Sequence, residues 1–190
     1  TGSPNELVRE TIFDIAGDPA YVQASFLTVL PKAANLYRAL QASAADTADF
    51  NLLYGTTIAA TGAPVANDRT ALFDVAGDRT FVQATYLPVL RKTAILYRAL
   101  QANASDRADF NLLFNVTLPA TGSPTTFART QLFGVAGDPL FVQATFLPAL
   151  RKTAILYRAL QASAQNLADF NLLYGTTLAA TGAPNANDRT

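Results

Sequence analysis

The side chains with chemistry to offer form one fixed set: Arg9, Asp18, Gln23, Lys32, Arg38, Gln41, Asp49 and Asn51, which recurs at the same spacing along the chain. Arg38 and Gln41, three residues apart, share a helix face and could meet Asp49 and Asn51 in a polar pocket. The structural counterpart is Arg38 paired with Asp49 across adjacent helices, with Asn51 bound to backbone, which would fix how the helices pack. The structural use is the expected one, because three copies of a catalytic centre on one short chain would be unusual.

Other chemistry is narrowed by what the chain lacks. It has no His, Cys, Met or Trp. Without His there is no neutral-pH proton shuttle and no imidazole for zinc. Without Cys there is no disulfide, thiolate metal site or thiol nucleophile. Two carboxylates would suffice for a glycoside hydrolase, but no acid pair stands apart from the repeated background. Asp18, Asp46 and Asp49 could be imagined as calcium ligands. No Asp-x-Asp-x-Asp-Gly loop holds them, and isolated acids at helix starts usually cap the helix. Neither a Gly-x-Gly-x-x-Gly nor a Gly-Lys-Ser/Thr element is present for a nucleotide. The expectation is therefore a protein that is not an enzyme, with no catalytic, cofactor-binding or metal residues to name.

The elements that carry this set come from a repeat. Thr-Gly-(Ser/Ala)-Pro begins at Thr1, Thr61, Thr121 and Thr181, a gapless period of 60, and a fixed period of this kind marks a solenoid or array. The expected organisation is unit 1 over 1–60, unit 2 over 61–120, unit 3 over 121–180, and the start of a fourth over 181–190. A chain that stops inside a unit reads as an excerpt of a longer or processed protein.

Within a unit, Gly17-Asp18-Pro19 looks like a helix start, with Asp18 as N-cap; Gly137-Asp138-Pro139 repeats it, and Arg79 replaces the proline in the second copy. Apolar residues at Val22, Phe26, Val29, Ala33, Leu36 and Leu40 alternate four and three apart, a helical stripe. Pro88 and Pro148, and Pro31 in the first copy, fall inside that stripe. Proline in a helix interior costs about 3 kcal/mol, so the pattern predicts either a short helix near 19–26 followed by a longer one near 28–43, or one kinked helix. Asp46 or Ser105 would cap a further helix, closed by Gly55 or Asn115 in a left-handed conformation. The stretch from Arg9 to Gly17 fits one short helix. The alternative is a hairpin, with Leu72 to Ala76 and Phe81 to Leu87 as strands about Gly77-Asp78. The fold expected is mainly α, a tandem array of three helical units; the alternative is an α+β unit with a short hairpin before the long helix.

Partners follow from charge and surface. Fourteen basic and fourteen acidic residues cancel, and charged residues are 15% of the chain, below the roughly 25% usual for soluble domains. Such a chain has no long-range field for nucleic acid and little charge to oppose self-association. Its apolar runs fall short of the roughly eighteen residues a membrane span needs. The recurring aromatics Phe13, Tyr21, Phe26, Tyr37, Phe50 and Tyr54 have core spacing, although they could line a pocket for a flat ligand. Asn103-Ala104-Ser105 and Asn115-Val116-Thr117 match the glycosylation pattern, so a glycan is a further candidate partner.

The function expected is a structural or adhesive repeat protein, a segment of an extracellular filament or cell-surface assembly, whose partner is itself in head-to-tail contact. Lack of oxidisable sulfur suits such a material, and low lysine with abundant Ala and Thr is similar in composition to surface repeat proteins. The alternative is a multivalent binding protein with one small apolar ligand or glycan per unit.

Overall fold

A computed structural model describes residues 22–185 and Asp188. Among the described residues eight α-helices run in order: α1 (Leu27–Gln41), α2 (Ala44–Tyr54), α3 (Ala66–Val75), α4 (Leu87–Ala102), α5 (Ala104–Phe114), α6 (Thr126–Gly134), α7 (Leu147–Gln161) and α8 (Ala164–Tyr174). Among the described residues there is no strand. The mainly α reading therefore stands, and the hairpin alternative falls: Leu72 lies in α3, and Phe81 to Leu87 is helical. The equivalent first helix, expected over Arg9 to Gly17, lies outside the described residues, as does the Asp18 cap.

Pro88 and Pro148 are accommodated by a widened turn, while Pro31 lies inside an α-helix. Each long helix is entered through a π-helical segment, Val22–Phe26, Phe81–Tyr86 and Phe141–Phe146, that runs into the α-helix without a break. At its end the Leu87 N–H bonds to the Val82 carbonyl, five residues back, and Leu147 does the same to Val142. Pro88 and Pro148 follow at once. Their missing N–H and bulky ring forbid the ordinary bond four residues back, and a π turn shifts the preceding carbonyls out of register. Unit 1 has Thr28 at that position. Its hydroxyl donates to the Ala24 carbonyl at 3.0 Å and the Ser25 carbonyl at 2.8 Å, taking up acceptors the wide turn leaves over. The predicted break near residue 27 is thus a change of helix type within one continuous helix.

Caps divide between expectation and correction. Asp78 accepts the Phe81 N–H at 2.8 Å and Asp138 the Phe141 N–H at 2.9 Å, as the Gly-Asp motif implies. Gly77 precedes the first of these, and a Cβ there would stand 2.1 Å from the Phe81 ring, so only glycine lets the ring lie over the turn. The short helices α2, α5 and α8 end in left-handed residues, Gly55 (φ 67°), Asn115 (φ 53°) and Gly175 (φ 64°). Their N-caps are Ser43, Asn103 and Ser163, whose side chains accept backbone N–H groups. Asp46 and Ser105, expected as caps, lie in the first turn instead, and Asp46 has a different task.

Stacking crosses the sequence boundaries. α1 packs on α2 and also on α3, which belongs to the next sequence unit; α4 likewise packs on α5 and α6. In addition, α2 lies against α4 and α5 against α7. The core is accordingly continuous from unit to unit, through Leu36, Leu40, Phe50 and Leu53, then Leu90, Leu96, Tyr97 and Leu100, to Leu132 and Ala154. Apolar burial of this kind is the main favourable term in folding, and in a stacked array each unit supplies part of its neighbour's core.

Candidate functional site at the joints between units

Two ion pairs fasten each joint. The Arg91 guanidinium on α4 forks onto Asp46 at the start of α2, Nε to Oδ1 at 2.6 Å and Nη2 to Oδ2 at 2.8 Å. One joint later Arg151 grips Asp106 in the same way, at 2.5 and 2.7 Å. Alongside, Arg98 reaches Asp49 and Arg158 reaches Asp109, each at 2.5 Å. The fork matches planar guanidinium to carboxylate with two charge-assisted bonds, which fixes orientation as well as distance. The Asp46 side chain is 2% exposed whereas Arg91 is 52% exposed. Burying a carboxylate is costly unless it is paired, and here the Arg91 bond holds the Asp46 carboxyl below the usual carboxylate range in spite of desolvation.

The pairing differs from the one expected. Asp49 binds the arginine of the following unit, not Arg38. Arg38 is exposed on α1 and lines a cleft of about 360 Å³ with Asn35, Arg79 and Gln83. The pocket imagined from Arg38, Gln41, Asp49 and Asn51 is consequently not assembled. Gln41 turns to the Gly62 carbonyl together with Tyr37, whose hydroxyl donates to the same oxygen at 2.6 Å. Tyr97 and Gln101 hold Gly122 likewise, and Tyr157 and Gln161 hold Gly182. These bonds tie the long helix of one unit to the Thr-Gly turn that opens the next. Asn51 binds backbone, as expected: its amide donates to the Ile58 carbonyl and accepts the Ile58 N–H, closing the loop after α2. Asn171 repeats both bonds with Leu178. Gln23 and Lys32 are exposed, and Arg9 lies outside the described residues.

The aromatics fill the joints. Phe50 stacks on Tyr54 with centroids 4.4 Å apart, and Phe26 on Phe73 at 5.9 Å. Arg129, on α6 of unit 3, reaches back to unit 1: its guanidinium lies 4.0 Å over the Tyr54 ring and donates to the Leu53 carbonyl at 3.2 Å. Beside them the Tyr86 hydroxyl is buried next to that of Tyr54, and burial first, then the Tyr54 hydroxyl, push it far above its ordinary pKa. The equivalent residues are Phe26 and Phe146, so the hydroxyl is peculiar to the middle unit. Phe13 and Tyr21 lie outside the described residues.

The forked pair escaped the reading of the sequence, yet a signal for it is there. At the arginine position the three units have Pro31, Arg91 and Arg151; at the aspartate position they have Asp46, Asp106 and Asn166. Unit 1 lacks the base and unit 3 lacks the acid. That pattern is coherent only if the acid of one unit meets the base of the next.

These contacts join each unit to the next. Among the described residues no three acidic, His or Cys side chains gather as a metal site, and no helix is long and apolar enough to cross a membrane. Searched against known proteins, the chain matches no family model, no curated protein and no solved structure.

Proposed function

We propose that this is a structural or adhesive tandem-repeat protein, a segment of an extracellular filament or cell-surface assembly, in which stacking of units is itself the work done. The observation that supports the reading is the use made of the repeated polar set. Asp46, Asp49, Asp106 and Asp109 are bound to the following unit, and Gln41, Asn51 and their equivalents to the loops between units. Side chains held this way join one unit to the next. A binding protein with one ligand per unit would need the same cleft several times. The cleft at Arg38 has no such copies, since Ile95 and Pro139 stand where Asn35 and Arg79 do.

Electron microscopy and light scattering of the purified chain test the proposal. Particles that lengthen with concentration are the expected result. A monodisperse monomer at every concentration would overturn it.

A further inference from the structure

Both glycosylation tripeptides fall in the middle unit, and the fold uses them differently. In Asn103-Ala104-Ser105 the asparagine is the N-cap of α5. Its Oδ1 accepts the Ser105 N–H at 3.0 Å and the Asp106 N–H at 3.2 Å, so the tripeptide is wound into the first turn of a helix. In Asn115-Val116-Thr117 the asparagine closes the same helix at φ 53° and ψ 47°, its backbone N–H bonded to the Asn111 carbonyl. Asn115 is exposed, and among the described residues its side-chain amide has no hydrogen-bond partner.

The third residue of this tripeptide is released as well. In unit 1 the equivalent Thr57 is held by Asp68, which accepts its N–H at 2.9 Å and its hydroxyl at 3.3 Å. The Thr177 N–H bonds to Asp188 in the same way, at 3.3 Å. For Thr117 that acid is replaced by Ala128, and Thr117 is exposed with its hydroxyl unengaged. A further change gives the asparagine room. A Cβ at Gly55 would stand 3.3 Å from the Ser123 hydroxyl, whereas the residue equivalent to Ser123 in the next unit is Ala183. Nor does this turn belong to the stacking surface: Gly55 is exposed even though units 2 and 3 both pack against unit 1.

We infer that Asn115 is a site of N-linked glycosylation and that Asn103 is not, the donor being an oligosaccharide carried on a polyprenyl diphosphate. The Asn115 Nδ2 bonds to the anomeric carbon of the sugar. The bond from that carbon to the diphosphate oxygen breaks, the diphosphate leaves with the electron pair, and Nδ2 gives up one proton. The turn supplies what an acceptor needs, a carboxamide open to solvent and an unbonded hydroxyl two residues on, and asparagine adopts the left-handed conformation readily. The inference rests on the extracellular reading above, because the donor belongs to the secretory route.

Directing the full chain into the secretory route of a eukaryotic cell with a cleavable leader tests it, read by mass spectrometry before and after peptide N-glycosidase. A single glycan, on Asn115, is the expected result. The variants borrow residues from the other units, so the turn and the cap survive. Asn115→Gly, with Gly55 as precedent at φ 67°, should lose the glycan completely. Asn103→Ser, with Ser43 as precedent for the cap, should keep it. Thr117→Ala, which leaves the asparagine in place, should also lose it. Circular dichroism confirms that each variant remains helical. A chain without glycan on Asn115, or with its glycan on Asn103 instead, would overturn the site. Because the leader supplies the route, an unglycosylated chain that still forms lengthening particles overturns the site alone, and a glycosylated chain that never associates supports the site and overturns assembly.

Discussion

Truncating Leu96 to alanine should lower the unfolding free energy by about 2 to 5 kcal/mol, the range for a leucine removed from a packed core. The same change at Leu156 should cost about 1 kcal/mol or less, as expected for a half-exposed side chain. Both residues occupy one repeat position on equivalent long helices, so helix propensity and local sequence are held constant. What differs is the neighbour. Leu96 is fully buried and α4 carries α6 against it, whereas Leu156 on α7 is 50% exposed. Dilute thermal or denaturant melts of the two variants check this. Losses of equal size would mean that burial at this position comes from within the unit and not from stacking.

Removing Arg91 should cost about 3 kcal/mol, because Asp46 would be left buried and unpaired; the figure lies at the low end of the known range since half of the Arg91 side chain already meets water. The Arg91→Ala, Asp46→Ala double variant should be less damaging than the sum of the single changes, which is the signature of a direct pair. Acid supplies an independent readout. The Asp46 pKa is depressed below its unfolded value of 3.8. Its stabilisation is thus fully present above about pH 4 and is lost as pH falls through the native pKa. In Arg91→Ala the buried carboxyl has lost the group that held its proton off, so protonation now relieves it. The stability gap between wild type and Arg91→Ala should therefore narrow below about pH 4. A gap that is constant or widens in acid would show that the pair does not carry the joint.

Local features of this fold are legible in the sequence wherever a single residue type has one physical use. Gly55 and Asn115 are readable as left-handed caps because few other side chains tolerate that conformation. Asp78 and Asp138 are readable as N-caps from the Gly-Asp motif. The apolar stripe through Leu36 and Leu40 yields the long helix directly. The prolines mislead because they report a helix fault without its kind: a π turn and a chain break place the same demand on Pro88. Partner choice is harder still. With units this alike, Asp49 lies a plausible distance from both Arg38 and Arg98 in any helical layout, and spacing alone favours the nearer one. The geometry of α2 against α4 decides for Arg98. Asp46 was hidden for a related reason, since an acid in the first helical turn already satisfies the helix dipole and gives no hint that it faces a neighbour.

Hydrogen exchange across the chain measures stacking most directly, since protection reports local opening energy segment by segment. If neighbours supply the core, the amides of α4 and α5, which are flanked on both sides, should exchange more slowly than those of α7 and α8. Near-uniform protection over the three long helices, or α8 as slow as α5, would contradict an array held together by its joints.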